Sequence, residues 1–356
     1  MKVLLVGPFP SPIHGMSLAN SFFYEYAKYD KIDIIKHDTV FSRELKSKDK
    51  QGRFDFRFFL LSIVNMFSLF KKILICDVDI IYVTPGQSIL GFLRFFPVVF
   101  LAKIFRKKVV QHIHGSRLTY NIDKANFFFR FLSKIDIKLT NRFIVLSDSI
   151  VNIYSDYIPE RKMVICLNGV EVQKKKEITI KTSVNILFLS NLMKDKGILD
   201  LFSMIEQYPC NNMRFNFAGA IEPELNNICN DFFTKNQKNC TYHGVVFGDK
   251  KRALFENSDI FILPSYDEGI PLSILEAYSY SCAVVTTNVG GIPDIFKENE
   301  NGIFVKQNNP LSIYQALNNI HEKLIFYQET NYKCFMENYT VDKFYQSVKN
   351  VLLKVF

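Results

Sequence analysis

The sequence predicts an α/β protein built from two domains, and two observations support that prediction. The chain has 356 residues, of which 48% are hydrophobic, and this is enough to form more than one core. Short apolar runs such as Val3–Val6 and Ile260–Leu263 are each followed by a loop and then by a segment with helical periodicity. Unbroken apolar runs of this length are typical of parallel strands that are buried on both faces.

The first strand, Val3–Val6, leads into a proline-rich loop that ends at Gly15 and opens a helix over Ser17–Tyr29. A loop in this place lies at the carboxyl edge of a parallel sheet, where α/β proteins bind their ligands. The loop lacks the Gly-x-Gly-x-x-Gly spacing of dinucleotide-binding folds, which argues against an oxidoreductase of that type. Seven scattered cysteines without a Cys-x-x-Cys pair favour a reducing compartment and argue against structural zinc.

Two segments of the first half carry polar side chains next to a predicted strand. Asp77-Val-Asp79 has the spacing of a metal-binding pair but leads directly into the strand Ile80–Val83, so a helix-to-strand junction is expected instead. The next strand ends at His114, and this histidine is a site candidate because Gly115 beside it lets a substrate approach. His112 is expected on the other side of that strand, in a structural role.

A charged segment, residues 172–184, is predicted to link the two domains. An apolar run over Asn185–Ser190 then starts a second sheet, and a loop follows that ends at Lys196 before a helix from about Ile198. Lys196 at this position can place an ammonium group on a phosphate, and a solvated surface lysine is the alternative. The tail after Asn331 again has helical periodicity.

The most informative stretch runs from residue 259 to residue 295. After the strand Ile260–Leu263, a loop carries Glu268, and a helix can start at Pro271 because proline is well tolerated at the first helical position. Unpaired N–H groups and the helix dipole at that start suit a diphosphate. Glu268 lies just before the helix and Glu276 about one and a half turns into it, and carboxylates are good acceptors for sugar hydroxyls.

A ligand that contains a sugar, a diphosphate and a second sugar in that order is a nucleotide-sugar. The alternative is a helix capped by an acid with an exposed glutamate on its flank, because a single motif is only a hypothesis. Glu268 and Glu276 form an E-x7-E motif, preceded by the buried strand with Pro-Ser and followed by Gly-Gly-Ile-Pro-Asp. In this setting the chain resembles the retaining GT-B glycosyltransferases usually called family 4.

The resemblance implies a GT-B fold, in which two Rossmann-like parallel-sheet domains face a cleft and a C-terminal helix returns to the first domain. It also implies that Glu276 holds the ribose hydroxyls of the donor and that Glu268 touches the donor hexose. The diphosphate would lie on the backbone of the segment Gly269, Ile270, Pro271 and Leu272.

Other parts of the family pattern are matched in part. His114 lies where family members have His-Gly near the donor hexose, and it is the candidate catalytic residue together with Glu268. Lys196 matches the family's Lys-Gly, but Asn191 stands in place of the usual arginine, so the diphosphate loses a charged clamp. In the first loop only Gly15 matches a glycine pair that lies between donor and acceptor. Gly15, Asn191 and Lys196 are therefore donor-binding candidates.

The net charge of +9 is confined to the first half. Residues 1–170 carry 25 Lys and Arg against 14 Asp and Glu, a net +11, whereas residues 171–356 have a net −2. Such an excess suits nucleic acid, an anionic membrane or a phosphorylated acceptor. No nucleic-acid motif accompanies it, and segments 94–108 and 124–138 interleave cationic with aromatic residues, as interfacial helices do. We expect attachment to an anionic membrane surface through these two segments, and no nucleic-acid partner. The Phe-rich segment 54–72 is predicted to be a buried core helix instead.

We therefore expect a retaining, metal-independent glycosyltransferase that needs no cofactor, since the helix dipole and a lysine can take the phosphate charge. It would move a hexose-type sugar from a nucleotide-sugar to a saccharide acceptor, itself lipid-linked, in surface polysaccharide assembly such as lipopolysaccharide or capsule. The expected location is cytoplasmic, peripheral on the inner face of the membrane.

The expected domains are an acceptor-side domain over residues 1–171, the linker 172–184, a nucleotide-sugar-binding domain over 185–334, and a C-terminal helix over 335–356 that packs on the first domain. Two alternatives for the function stay open. One is a nucleotide-sugar epimerase of the same fold, and the other is a non-catalytic assembly subunit with a residual donor pocket.

Overall fold

The computed structural model describes residues 1–11, 14–40, 56–175 and 183–356. These residues form two compact units, one made of residues 1–169 and 341–356 and the other of residues 170–340. Residues 176–182 of the predicted linker lie outside the described residues, as do residues 12 and 13 of the predicted proline-rich loop and residues 54 and 55 of the Phe-rich segment.

The first unit contains one six-stranded parallel sheet in the order β2-β1-β3-β4-β5-β6. Its strands are β1 Lys2–Gly7, β2 Asp33–Asp38, β3 Ile80–Val83, β4 Lys108–His112, β5 Arg142–Val145 and β6 Met163–Ile165. Its helices before the second unit are α1 Gly15–Tyr29, α2 Phe56–Ile75, α3 Ile89–Leu93, α4 Phe96–Ile104, α5 Leu118–Asp123, α6 Phe127–Leu139 and α7 Asp148–Tyr154.

The second unit also contains a six-stranded parallel sheet, in the order β12-β11-β10-β7-β8-β9. Its strands are β7 Val184–Leu189, β8 Met213–Ala218, β9 Cys240–Tyr242, β10 Ile260–Leu263, β11 Ala283–Thr287 and β12 Gly302–Val305. Its helices are α8 Ile198–Gln207, α9 Asn226–Lys235, α10 Gly248–Glu256, α11 Leu272–Ser279, α12 Pro310–Asn319 and α13 Leu324–Asn338.

The last helix, α14 Val341–Val355, belongs to the first unit. The tail helix therefore starts six residues later than the predicted residue 335, because α13 continues to Asn338 within the second unit. The break is fixed at the next two residues, where the N–H of Val170 donates to the Tyr339 carbonyl at 2.8 Å and Val170 forms an isolated parallel bridge with Thr340. An extended pair of this kind ends the helix.

The apolar run of β1 is buried on both faces, which explains why it does not alternate. Val3 and Leu5 pack into a core with Phe23 of α1 and Tyr345 of α14. Leu4 and Val6 lie on the opposite face, in a second core formed with α2 and α4. The Tyr345 hydroxyl donates to the Asp30 carboxylate at 2.5 Å, so the last helix is tied to the end of α1.

The Asp77-Val-Asp79 segment joins the end of α2 to the start of β3, as predicted. Asp77 forms an ion pair with Lys107 at 2.8 Å, and its backbone has a positive φ of 43°. The Asp79 carboxylate accepts the backbone N–H of Lys2 at 2.7 Å, which holds it at the edge of β1. The two carboxylates therefore stabilise the junction between α2 and β3.

Among the helices of the described ranges, none combines the length and the apolar character that a membrane crossing requires.

Candidate active site

The residues of the E-x7-E stretch lie at the topological switch point of the second sheet. From β7 the chain proceeds outward through β8 and β9, and from β10 it proceeds in the opposite direction through β11 and β12. The loops after β7 and β10 therefore diverge from neighbouring strands, which is the place where open α/β sheets bind ligands. Lys196 follows β7 and Glu268 follows β10, and the structure brings the two side chains together.

Helix α11 presents free N–H groups at its start. The helix begins at Leu272, one residue later than predicted, because Pro271 has an extended ψ of 115° and serves as the N-cap. Within the described part of the chain, the N–H groups of Gly269, Ile270 and Leu272 donate to no acceptor. Pro271 has no N–H, so of the four predicted contacts only three can donate to a diphosphate.

Glu268 is held by two donors. Its Oε1 accepts the Lys196 ammonium at 2.7 Å and the Ser265 hydroxyl at 2.8 Å. The side chains are 24% exposed for Lys196 and 11% exposed for Glu268, so the ion pair is largely removed from solvent. The second carboxylate oxygen is left for another donor, and the lysine is placed beside the start of α11.

Glu276 has a partner of its own, Lys251 of α10, whose ammonium lies 2.5 Å from Oε1. The pair is shielded as well, with 28% exposure for the lysine side chain and 16% for the glutamate. Sequence reasoning missed Lys251, because it lies 25 residues before Glu276 in an ordinary charged helix and no local pattern marks it. Ser265 was visible in the sequence only as a flank of the motif.

The turn after β11 packs against the loop that carries Glu268. A Cβ at Gly290 would lie 1.8 Å from the Glu268 carbonyl oxygen, and Gly290 has a φ of +53°. Both the space and the backbone conformation therefore require glycine at this position. The next N–H, that of Gly291, donates to the Gly269 carbonyl at 3.0 Å. The Gly-Gly pair thus fixes the backbone just before α11.

The same loop is tied to the segment after β7. The Tyr266 N–H donates to the Asp195 carbonyl at 2.8 Å, and the Tyr266 hydroxyl donates to Asp200 of α8 at 2.7 Å. Asn191, the residue in place of the usual arginine, is exposed and its side chain bonds to nothing in the described ranges. It therefore offers an amide to a ligand but no charge.

In the first unit, the loop after β1 ends at a capped helix. The Nδ1 atom of His14 accepts the N–H of Ser17 at 3.3 Å, and the Ser17 hydroxyl accepts the His14 N–H at 3.0 Å. This reciprocal cap starts α1 at Gly15, two residues earlier than the predicted Ser17. Gly15 therefore lies at a helix start on the carboxyl edge of the first sheet.

His114 follows β4 at the same edge of the first sheet. Both of its ring nitrogens are buried, and neither has a hydrogen-bond partner in the described residues. Burial, together with the nearby charge of His14, lowers the pKa of His114 to about 3, so the ring is uncharged at neutral pH. An uncharged imidazole has one donor and one acceptor, which suits a sugar hydroxyl.

Two predictions about this strand end were wrong. His112 lies on the same side as His114, with ring centroids 3.9 Å apart, because residues two apart in a strand share a face. Its structural role is nonetheless seen in a 2.5 Å hydrogen bond between Nδ1 and the Tyr82 hydroxyl. The space beside Gly115 is taken by Gln87, whose Nε2 lies 1.5 Å from where a Cβ would be and donates to the His114 carbonyl at 2.6 Å. Gly115 therefore makes room for Gln87, a residue that sequence reasoning did not single out.

The chain resembles known proteins in a family model, in sequence and in structure. Residues 170–332 match the family model described as glycosyl transferases group 1. An uncharacterized glycosyltransferase of Methanocaldococcus jannaschii is 27% identical over 237 residues, which are 60% of each chain. The N,N'-diacetylbacillosaminyl-diphospho-undecaprenol alpha-1,3-N-acetylgalactosaminyltransferase of Campylobacter jejuni is 26% identical over 54% of this chain and 55% of its own length. The chain thus spans less than two thirds of either relative.

Two solved structures resemble the chain over nearly its whole length. A glycosyltransferase from Rickettsia africae superposes with a TM-score of 0.77 at 17% identity, covering 99% of this chain and 98% of its own. HepE of Anabaena, solved in complex with UDP, superposes with a TM-score of 0.73 at 13% identity, covering 99% and 100%. At these identities the likeness establishes the fold.

The two six-stranded parallel sheets and the superposed structures define the fold as GT-B, and the second unit contains a region that matches the glycosyl transferases model. The match to the glycosyl transferases group 1 model is confined to residues 170–332, which are less than half of the chain.

Proposed function

We propose that the chain transfers a hexose-type sugar from a nucleotide-sugar to a saccharide acceptor with retention of the anomeric configuration. The observation that carries this proposal is the group of charges and amides at the switch point of the second sheet. Free N–H groups at the start of α11 lie in the loop that carries Glu268, and Lys196 contacts that glutamate at 2.7 Å. Cationic and N–H groups suit the diphosphate, and the carboxylates suit the sugar hydroxyls.

The chemistry requires stabilisation of the departing diphosphate, because negative charge develops there as the glycosidic bond breaks. The α11 amides, the helix dipole and Lys196 supply fixed positive charge for that purpose. In a retaining transfer of this kind, the leaving phosphate takes the proton of the acceptor hydroxyl on the same face of the sugar, so no protein nucleophile is needed. Glu268 would hold a hexose hydroxyl, and the uncharged His114 would donate to or accept from another.

The relatives suggest the identity of donor and acceptor. HepE of Anabaena was solved with UDP, so uridine diphosphate sugars are the first donors to test. The Campylobacter jejuni relative acts on a diphospho-undecaprenol-linked sugar, as its name states. We propose that the acceptor of this chain is likewise a lipid-linked saccharide, in the assembly of a surface polysaccharide.

We also propose that transfer needs no metal, because the α11 amides and Lys196 already offer positive charge to the diphosphate. The experiment is calorimetric titration with UDP-, GDP- and ADP-sugars in the presence of EDTA. Saturable binding of one donor, weakened by Glu276→Ala, is the expected result. Binding that appears only when Mg²⁺ or Mn²⁺ replaces EDTA would contradict the metal-independent form of the proposal.

Peripheral attachment to the cytoplasmic face of a membrane is proposed from the first unit. Large apolar side chains on α4 and α6 are exposed, including Phe100 at 51%, Phe127 at 85% and Phe131 at 53%. Lys103 and Arg130 lie on the same two helices. Exposed aromatic residues beside cations are the composition of an interfacial surface.

A non-catalytic assembly subunit is the second candidate, favoured by one observation. Asn191 replaces a charged clamp and bonds to nothing in the described ranges, so the donor pocket has one cation fewer. If no nucleotide-sugar binds in the calorimetric titration with or without a divalent metal, this candidate replaces the transferase.

A further inference from the structure

A cavity of about 650 Å³ lies alongside α6 in the first unit. Its volume is within the range of small-molecule binding sites. Most of its lining is charged, with five cationic side chains against two carboxylates. The cationic residues are Arg130, Lys134, Lys138, Arg161 and Lys162, and the carboxylates are Asp123 and Asp156.

Three of the cations come from one face of α6. Arg130, Lys134 and Lys138 are spaced by four residues, so their side chains follow one another along the helix. The row extends over eight residues, which is about 12 Å of helix. An elongated polar ligand or the edge of a charged surface would meet all three.

The other two cations are held by a short 3-10 helix, Glu160–Lys162. The Lys162 ammonium donates to the carbonyls of Ile137, Lys138 and Thr140 at 2.9, 2.9 and 2.7 Å. Lys162 is therefore fixed at the end of α6 and contributes a stationary charge. Burial, and to a lesser extent the charges of Arg161, Arg142 and Lys103, lower the pKa of Lys162.

The two carboxylates of the lining offset only part of this positive charge. In the part of the chain that the structure describes, none of the five cations forms a salt bridge. The Asp123 carboxylate accepts a hydrogen bond from the Tyr157 hydroxyl. The backbone carbonyl of Asp123 accepts one from Nη2 of Arg130, which orients the guanidinium group. The Nε of Arg130 is buried and has no acceptor among the described residues. A buried donor of this kind needs an anion or another acceptor.

One end of the cavity lies away from His114, the candidate site residue of the first unit. Lys138 and Lys162 come just before β5 and β6, at the amino edge of the first sheet. His114 follows β4, at the carboxyl edge. Since all strands of this sheet are parallel, that end of the cavity and His114 lie at opposite edges. The end of the cavity formed by Lys138 and Lys162 is therefore distinct from the place of His114 in the first unit.

An exposed aromatic row adjoins the cationic row on the same helix. Phe127, Phe128 and Phe131 are 85%, 60% and 53% exposed. Helix α4 packs beside α6 and adds Phe100 and Ile104, which are exposed as well. Side chains of this kind favour the boundary between headgroups and acyl chains, while neighbouring cations favour headgroup phosphates.

We propose that this cavity binds the phosphate group of an anionic membrane lipid while the neighbouring aromatic row enters the acyl boundary. The proposal rests on the membrane attachment proposed above and assigns that attachment to one site. The lipid is chosen over a soluble phosphate compound because the apolar row is continuous with the cations. A soluble ligand would use the cations alone.

The test is flotation of the full chain with vesicles made of equal parts phosphatidylglycerol and phosphatidylcholine, compared with vesicles of phosphatidylcholine alone. Lys134→Glu/Lys138→Glu is the charge variant, since both side chains are exposed. Lys238→Glu/Lys323→Glu is its matched control, with the same change of charge at exposed positions of the second unit. Phe127→Ser/Phe131→Ser, the aromatic variant, removes two of the three phenylalanines of the aromatic row on α6.

We expect the wild type to float only with the anionic vesicles and the charge variant to bind at least about 30-fold more weakly, since each lysine at the surface accounts for about fivefold. The control pair should lose far less. The aromatic variant should bind about tenfold more weakly or worse. Calorimetric binding of the donor sugar should be the same in all four proteins, which separates this site from the proposed transferase site.

Three results would overturn the proposal. Equal losses in the charge variant and its control would show that attraction depends on net charge alone. Wild-type protein that does not float would remove the membrane attachment together with the site, whatever the donor titration shows. Tight binding of inorganic phosphate without vesicles, abolished by the charge variant and unaffected by the aromatic variant, would assign the cavity to a soluble phosphate compound.

Discussion

The Glu276–Lys251 pair gives the sharpest prediction about donor binding. Glu276→Ala removes a carboxylate whose Oε1 lies 2.5 Å from the Lys251 ammonium and whose Oε2 bonds to nothing in the described ranges. If the carboxylate binds two ribose hydroxyls, two hydrogen bonds to a charged group are lost, each worth roughly 1.5–3 kcal/mol. The variant also frees Lys251 from its partner, which offsets part of this loss. We therefore expect donor binding to lose about 3 kcal/mol of free energy, or roughly a hundredfold rise in Kd.

The lysine should act through the glutamate. Lys251→Met keeps most of the side-chain volume and removes the charge that orients Glu276, so we expect a rise in Kd of about tenfold with little change in kcat. The double variant should bind the donor no more weakly than Glu276→Ala alone, because there is then no carboxylate to orient.

The assay is calorimetric titration with the preferred donor, and Glu322→Ala is the control because Glu322 is an exposed glutamate of the same unit. Equal affinities for Glu276→Ala and Glu322→Ala would refute the assignment of Glu276. A double variant in which the two losses simply add would refute the positioning role of Lys251.

Three further predictions follow from the ion pair, the histidine and a buried acid. Lys196→Met should weaken donor binding by roughly tenfold to a hundredfold, because a charged contact to the diphosphate is lost. The same titration measures this, and an unchanged affinity would exclude a contact between Lys196 and the diphosphate. His114→Ala should lower kcat by a similar factor, and the wild-type rate should show no titration of His114 near pH 6.5, because burial lowers its pKa to about 3; a wild-type kcat in the variant would remove His114 from the site. Burial raises the pKa of Asp136 to about 7, so the folded state holds an extra proton between about pH 4 and pH 7 and the free energy of unfolding falls as pH rises through that window. Asp136→Asn should therefore unfold in urea much like the wild type at pH 4 and be more stable by up to about 4 kcal/mol at pH 8, and lower stability at pH 8 would contradict this sign.

Local patterns in the sequence were sufficient to predict the strand, the loop and the helix around the E-x7-E motif. The strand Ile260–Leu263 has the predicted bounds, and the following helix starts one residue later than predicted. Ile274, Leu275 and Tyr278, whose spacing in the sequence puts them on one face of this helix, are fully buried. These features depend on propensity and spacing within a few residues, which a single sequence carries.

Contacts between distant segments could not be predicted in the same way. Lys251 reaches Glu276 only because α10 and α11 are brought together by the sheet, and nothing near Lys251 in the sequence indicates it. Gln87 occupies the space beside Gly115 for the same reason. The misplacement of His112 had a different origin, since residues two apart in a strand share a face and the sequence already contained that information.

The central claim, retaining transfer from a nucleotide-sugar, is tested most directly by proton NMR of the released sugar. The purified chain would be incubated with its preferred donor in EDTA, and the anomeric signal of the first sugar released to water would be followed before mutarotation. We expect slow release of sugar with the configuration it had in the donor, and loss of that release in Glu268→Ala. Sugar released with the opposite configuration would contradict the retaining mechanism, and release that persists unchanged in Glu268→Ala would contradict the site.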